Sequence, residues 1–219
     1  MKTTTTVTDI EGNVYNTVKI GSQVWMLENL KTTHYNDGIA IPLVTDSTAW
    51  YKYTPAYCWY NNDAATYKNK YGALYNGYAV NTGKLAPTGW HVPTDAEWTT
   101  LENYLIANGY NYDGSTSGDK YAKSLAATTD WATDPYSGTG TIGNELTKNN
   151  RSGFSALPGG YRDYFDGSFS NVGIYGYWWS STEDDTIYAW YRNMFYGLSD
   201  VGRLLSSKLN GLSVRCVKD

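Results

Sequence analysis

The stretch GWHVPTDAEWTTLENY, residues 89 to 104, decides how this chain folds. It predicts a strand that runs into a capped helix. The Thr94 hydroxyl can accept from a free first-turn N–H, and Glu97 three residues later can reach back to the Thr94 N–H, which completes a capping box. Pro93 keeps the lead-in non-helical, and Asp95 and Glu97 put negative charge at the positive end of the helix dipole. Trp98, Leu101 and Leu105 recur at helical spacing, so one face is apolar, and Asn108-Gly109 stops the helix. Trp90 just upstream is a large anchor for the layer beneath.

Working outward, the N-terminal side reads as β. After a polar tail at residues 1–6, expected to be disordered, Val14 to Ile20 alternates apolar and polar beside a Gly12-Asn13 turn. Gly21-Ser22 turns the chain back into Gln23–Leu27, which makes a hairpin carrying Trp25. Asn36-Asp37-Gly38 is a turn, Ile39 to Pro42 a short edge-like strand, and Tyr71 to Val80 has strand and turn character. Asn61, Asn62 and Asp63 are three consecutive oxygen-bearing side chains that could hold a structural Ca²⁺. The competing reading is a turn bonded to its own backbone, and no other cofactor is suggested.

Beyond the helix, Asp119 to Ala127 predicts a short second helix with Tyr121, Ala122 and Leu125 on one side. Residues 128–153 read as a long surface connection, and from Phe154 the pattern is β with glycine-marked hairpins. The neighbours Trp178 and Trp179 point to opposite faces of a strand, which predicts one core ring and one surface ring. Arg162, Arg192 and Arg203 are expected to bond loop carbonyls and fix the fold, and His91 to be structural.

Charged residues make up 17%, below the roughly 25% of ordinary domains, while 22 Tyr and 9 Trp take their place. A Tyr, Ser, Gly and Asn surface suits recognition, since tyrosine gives contact area at low side-chain entropy. A net charge of −4 without a basic run excludes the electrostatic footprint of a nucleic-acid partner. No stretch approaches the roughly 18 apolar residues of a membrane span, so direct membrane insertion is not expected. The first residues lack a signal-peptide core; if the chain is exported, its leader has been removed and Met1 is an added start. Cys58 and Cys216 permit at most one disulfide.

Together the segments DIEGNVYNTVKIGSQVWMLENLKT (9–32), AYCWYNND (56–63), YGALYNGYAVNTGKLAPTGWHVPTDAEWTTL (71–101), GFSALPGGYRD (153–163), GYWWSST (176–182), AWYR (189–192) and GLSVRCV (211–217) resemble the Fibrobacter succinogenes major paralogous domain family. Many members carry Cys before the Pro-Thr-Gly-Trp segment, where Ala86 stands here. The resemblance implies one α+β domain over residues 7–219, of the C-type lectin-like and formylglycine-generating-enzyme-like kind, with irregular antiparallel sheets, two helices and long loops. It also implies an exported or surface-attached protein without an established common reaction.

The C-terminal part resembles lectin-fold proteins diversified by retroelements, in which framework residues alternate with ligand-facing positions. Trp178, Trp179, Ala189, Trp190, Val201, Arg203, Val214 and Arg215 fit the framework. The ligand face would then be Asp184, Asp185, Tyr188, Tyr191, Asn193, Tyr196, Leu198, Asp200, Gly202, Leu204, Leu205 and Ser206. The expected function is extracellular recognition of a glycan or a cell-surface protein. Two alternatives stand beside it: an enzyme of the formylglycine-generating type, for which Cys216 is the lone thiol in the closing part, and a structural surface or pilus component.

Overall fold

The computed structural model describes residues 5–136 and 138–219. In chain order the elements are β1 (Thr6–Thr8), β2 (Val14–Ile20), β3 (Gln23–Met26), α1 (Ser47–Trp50), β4 (Tyr57–Cys58), α2 (Ala64–Tyr71), β5 (Leu74–Tyr75) and α3 (Gly77–Val80). They continue as β6 (Trp90–His91), α4 (Asp95–Ala107), α5 (Ala122–Leu125), β7 (Gly159–Arg162), β8 (Phe169–Val172), β9 (Tyr175–Glu183), β10 (Tyr188–Phe195), β11 (Gly202–Ser207) and β12 (Val217–Lys218). The fold is α+β with mostly antiparallel pairing. Among the described residues no helix is long and apolar enough to cross a membrane.

The helix expected from the capping box is α4. Thr94 accepts from the Glu97 N–H while the Glu97 carboxylate accepts from the Thr94 N–H, and Trp98, Leu101 and Leu105 are buried. Trp25, from the β2–β3 hairpin, packs on Trp98 at 4.8 Å between centroids, and Phe154 closes the cluster at 5.6 Å from Trp25. The hairpin has the register its Gly21-Ser22 turn demands, Ile20 opposite Gln23 and Val18 opposite Trp25. β12 then inserts between β3 and β6, with Val217 paired to both Trp25 and His91. The last residues of the chain thus close the sheet that leads into the central helix.

His91 bridges this closure, its Nδ1 2.6 Å from Asp219 Oδ1 and its Nε2 2.7 Å from Glu97 Oε1. Burial lowers its pKa, but its hydrogen bonds to the two carboxylates outweigh burial and raise it. A raised folded-state value makes the stabilisation complete below the ordinary histidine value of about 6.5, to be lost as pH rises through the raised value. The ring is 37% exposed, which keeps the effect below ~1 kcal/mol. Urea midpoints taken across that range are expected to fall with rising pH, and His91→Gln to flatten the slope; a slope unchanged in the variant would assign it to another group.

Several expectations are corrected. Residues 1–4 of the polar tail lie outside the described residues, but Thr6 already pairs with Asn16. Instead of two helices, five α-helical segments and two 3₁₀ segments are present among the described residues. α2 follows the Asn61–Asp63 turn over residues for which no element was expected, and α3 occupies ground read as strand and turn, because Asp63 and Asn76 serve as N-caps, accepting from the N–H groups of Thr66 and Ala79. Ile39–Pro42 makes only an isolated bridge, Ala40 to His34. The 128–153 connection is no mere surface span, since Trp131 and Ile142 are buried and the Trp131 indole donates to the Ala156 carbonyl.

Cys58 and Cys216 are both buried free thiols in separate parts of the core, so they do not pair. Trp178 and Trp179 are both buried, at 1% and 0% exposure, because both faces of β9 are covered. The Trp178 ring lies over Gly176, where an added Cβ would stand 2.2 Å from it; this accounts for a glycine inside the strand. Of the three arginines, Arg162 binds loop carbonyls as expected, those of Val44 and Thr45. Arg192 instead pairs with Asp95 and Glu102, and Arg203 with Asp95.

Candidate binding groove

The sheet β9–β10–β11 sets the site by strand alternation. Arg192 stands opposite Trp178 in the register, and this face packs against α4. Tyr175, Tyr177 and Trp179 stand opposite Phe195, Asn193 and Tyr191 on the other face. The register shifts between Ala189 and Tyr191, and such a bulge re-aims the side chains beside it. Trp179 is drawn into the core, where its indole donates to the Tyr75 carbonyl, while Tyr177 and Tyr191 remain half-buried at the rim.

β7 brings a third tyrosine to this rim. Tyr161 meets Tyr177 edge-on at 5.2 Å, and Tyr177 lies 6.1 Å from Tyr191. With Tyr164 and Tyr188 they line an open groove of about 330 Å³. Ser206, Ser207 and Asn210 supply its polar groups, Leu205 and Leu212 apolar ones, and Asp163 the one carboxylate among the lining residues. That carboxylate is engaged locally, accepting from the Phe165 N–H at 2.7 Å. Asn210 ties the groove together, its Oδ1 accepting from the Tyr164 N–H and its Nδ2 donating to Ser206 Oγ. Burial holds the Tyr161, Tyr177 and Tyr191 phenols above their ordinary range, so they stay neutral. The rings are therefore pre-positioned, and a ligand stacked on them restricts little additional side-chain freedom.

The predicted ligand face divides on this geometry. Tyr188, Tyr191, Leu205 and Ser206 line the groove. Tyr196, Leu198 and Asp200 belong to the β10–β11 turn at the far end of the sheet. There the Tyr196 and Leu198 carbonyls accept from the N–H groups of Gly143 and Ile142, which anchors the 128–153 connection. Asp184 and Asp185 form the β9–β10 turn, where Asp185 Oδ1 accepts from the N–H groups of Ile187 and Tyr188. Gly202 stands opposite Asn193, and an added Cβ would lie 1.9 Å from Asn193 Oδ1, so glycine there is a packing requirement. Leu204 is exposed and pairs with Tyr191.

At the Ca²⁺ candidates, Asp63 caps α2, Asn62 donates to the Thr45 carbonyl, and Asn61 and Asn62 adopt left-handed backbone. This is the turn reading, with an asparagine conformation that costs little. Among the described residues no group of three His, Cys, Asp or Glu side chains converges as a metal site. The framework residues Ala189, Val214 and Arg215 are buried, whereas Trp190 is half-buried beneath the exposed Arg203 guanidinium at 3.7 Å.

Tyr161, Tyr164 and Tyr177 escape the sequence reading of the site because they belong to β7, the turn after it, and β9. The alternation Tyr175-Gly176-Tyr177 is the signal that was there to be used: a glycine on one face leaves the strand's other face tyrosine-only over that span.

The Fibrobacter succinogenes major domain model matches residues 18–218, nearly the whole of this fold including the groove. The chain belongs to that family. No curated protein and no solved structure matches it. In this family member, then, the groove must be read from its own chemistry.

Proposed function

We propose that this chain is an exported recognition domain of C-type lectin-like build that binds a neutral glycan in the tyrosine groove. One observation carries the reading: five tyrosines from three stretches of chain converge on a single groove whose one carboxylate is already engaged. Tyrosine offers an apolar face for stacking on sugar C–H groups and a hydroxyl for their oxygens, while a lining with no cation and a single, backbone-bonded carboxylate favours an uncharged ligand over an anionic one. The lectin-like assignment rests on the family resemblance and on the closing strand β12 beside the hairpin.

Binding is favoured over catalysis by the state of the thiols. Burial pushes Cys58 up to about 12 and Cys216 higher still, so both remain un-ionised at neutral pH, the opposite of an activated nucleophile. Exposed Tyr188, Leu204 and Leu205 support a surface protein as the second reading.

The test is titration calorimetry on hits from a neutral-glycan array. Tyr191→Ala is expected to weaken binding by about tenfold or more, the loss typical of truncating an aromatic anchor. Tyr196→Ala, at the far end of the sheet, is expected to leave it unchanged. Equal effects from the two variants, or binding intact when Tyr161 and Tyr191 are both removed, would displace the groove as the site. Capture of proteins with no glycan bound would favour the second reading.

A further inference from the structure

The groove has a continuation on the protein's surface. The Tyr164 ring that walls it also stacks on Tyr51 of the segment after α1, with centroids 6.2 Å apart and planes 23° from parallel. From Tyr51 the rings run on to Tyr53 at 6.3 Å, and from Tyr53 to Tyr78 at 6.0 Å. Tyr51 and Phe165 line a second open depression of about 290 Å³, together with Ser47 and Thr48. Tyr51, Tyr53 and Phe165 are 46%, 59% and 82% exposed, a contiguous aromatic surface of the kind that marks an interaction site.

The platform is rigidly mounted. Arg162 donates to the carbonyls of Val44 and Thr45, which ties the segment leading into α1 to β7. Gly167 lets the β7–β8 turn approach α1 closely, since an added Cβ would stand 2.5 Å from Ser47 Cβ. The aromatic surface and the groove are therefore one pre-organised unit with Tyr164 shared between them.

Resting on the glycan reading of the groove, we propose that the ligand is an extended linear neutral polysaccharide. One part of the chain lies in the groove, and the next passes Tyr164 onto Tyr51 and Phe165. The residues lining the second depression are rings and hydroxyls with no ionised side chain, and they extend the tyrosines and serines of the groove, which matches an uncharged polyol better than a charged polymer.

The experiment is calorimetry with di- and hexasaccharides of the cello-, xylo- and manno- series, on the unaltered domain and on Tyr51→Ala/Phe165→Ala. Both side chains are exposed, so the double variant is expected to keep its circular dichroism spectrum and melting temperature. The unaltered domain is expected to bind hexasaccharide more tightly than disaccharide. The double variant is expected to bind hexasaccharide about tenfold more weakly, with disaccharide binding unchanged. Equal affinity for both lengths, or a double variant that binds hexasaccharide normally, would overturn the extended-chain inference while leaving the groove standing. Self-association in analytical ultracentrifugation that disappears in the double variant would identify a second copy as the occupant and overturn it too. Binding of neither length by the unaltered domain would overturn the groove reading, and this inference with it.

Discussion

Replacing Arg192 by Ala is expected to cost about 3–5 kcal/mol, the range for breaking a buried ion pair from one side. The side chain is wholly buried between β10 and α4, with Nε 2.6 Å from Glu102 Oε1 and Nη1 2.7 Å from Asp95 Oδ1. Nη2 reaches the Thr99 hydroxyl at 3.2 Å. Burial already holds the Glu102 carboxyl above the usual range even with the arginine beside it. Without Arg192 that carboxyl would have to take up a proton or stay charged under the sheet.

Arg203 supplies the control because it binds the same Asp95 from a side chain that is 46% exposed. Arg203→Ala should cost about 0–1 kcal/mol. Urea unfolding of the two variants separates the cases. If both cost the same, burial is not what makes Arg192 matter. Replacing Arg192 and Glu102 together by Met and Leu should recover much of the loss, since Asp95 keeps its pairing with Arg203 and the apolar pair strands no other charge.

The second large effect is expected on β9. Trp178→Ala and Trp179→Ala should each cost about 3–5 kcal/mol, as for other buried tryptophans cut to alanine. Trp178 donates to Asn29 Oδ1 at 2.9 Å and lies within 6.0 Å of the buried Arg215 guanidinium. Removing it strips packing from a cation that is itself bonded to the Phe154 carbonyl and to Asn29. Trp179 fills the cluster on the opposite face beside Tyr191, at 6.5 Å between centroids. A surface ring would be worth under about 0.5 kcal/mol on truncation. A small loss at either position would mean that one face of the strand is open in solution, as simple alternation suggests.

Those tryptophans show where reading the residues stops. Alternation correctly sends the two rings to opposite faces, but whether a face meets water depends on what packs there. On one side that is α4, on the other the segment around Tyr75, supplied from chain about 100 residues away. The α2 helix was missed for a related reason. Its sequence AATYKNKY has no apolar stripe and buries only Tyr71, so its local marks are confined to its ends, the Asp63 cap and Gly72 with Lys68 and Lys70, and three oxygen-bearing residues in a row compete with the cap reading as a calcium ligand set.

The groove was half legible. Tyr188, Tyr191, Leu205 and Ser206 could be proposed because they share the C-terminal β run. Tyr161 and Tyr164 could not, because β7 and the turn after it reach the rim only through tertiary packing. The turn residues from Tyr196 to Asp200 join the predicted face only through the resemblance to diversified lectin-fold proteins, as filler positions between framework residues. At roughly 3.3 Å per strand residue, a strand the length of β10 carries them to the sheet's far end.

From sequence alone came the elements governed by contacts within a few residues: the Thr94–Glu97 capping box, the hairpin turning at Gly21-Ser22, and the apolar stripe of α4. Each depends on hydrogen bonds or side-chain spacings that the local chain supplies by itself. The family, too, was legible in the order of its motifs. Only the tertiary structure decided which arginines are buried, that Cys58 and Cys216 lie apart, and which tyrosines meet around one groove. Those outcomes depend on which distant surfaces exclude water together, a property of packed layers that no short window of residues contains.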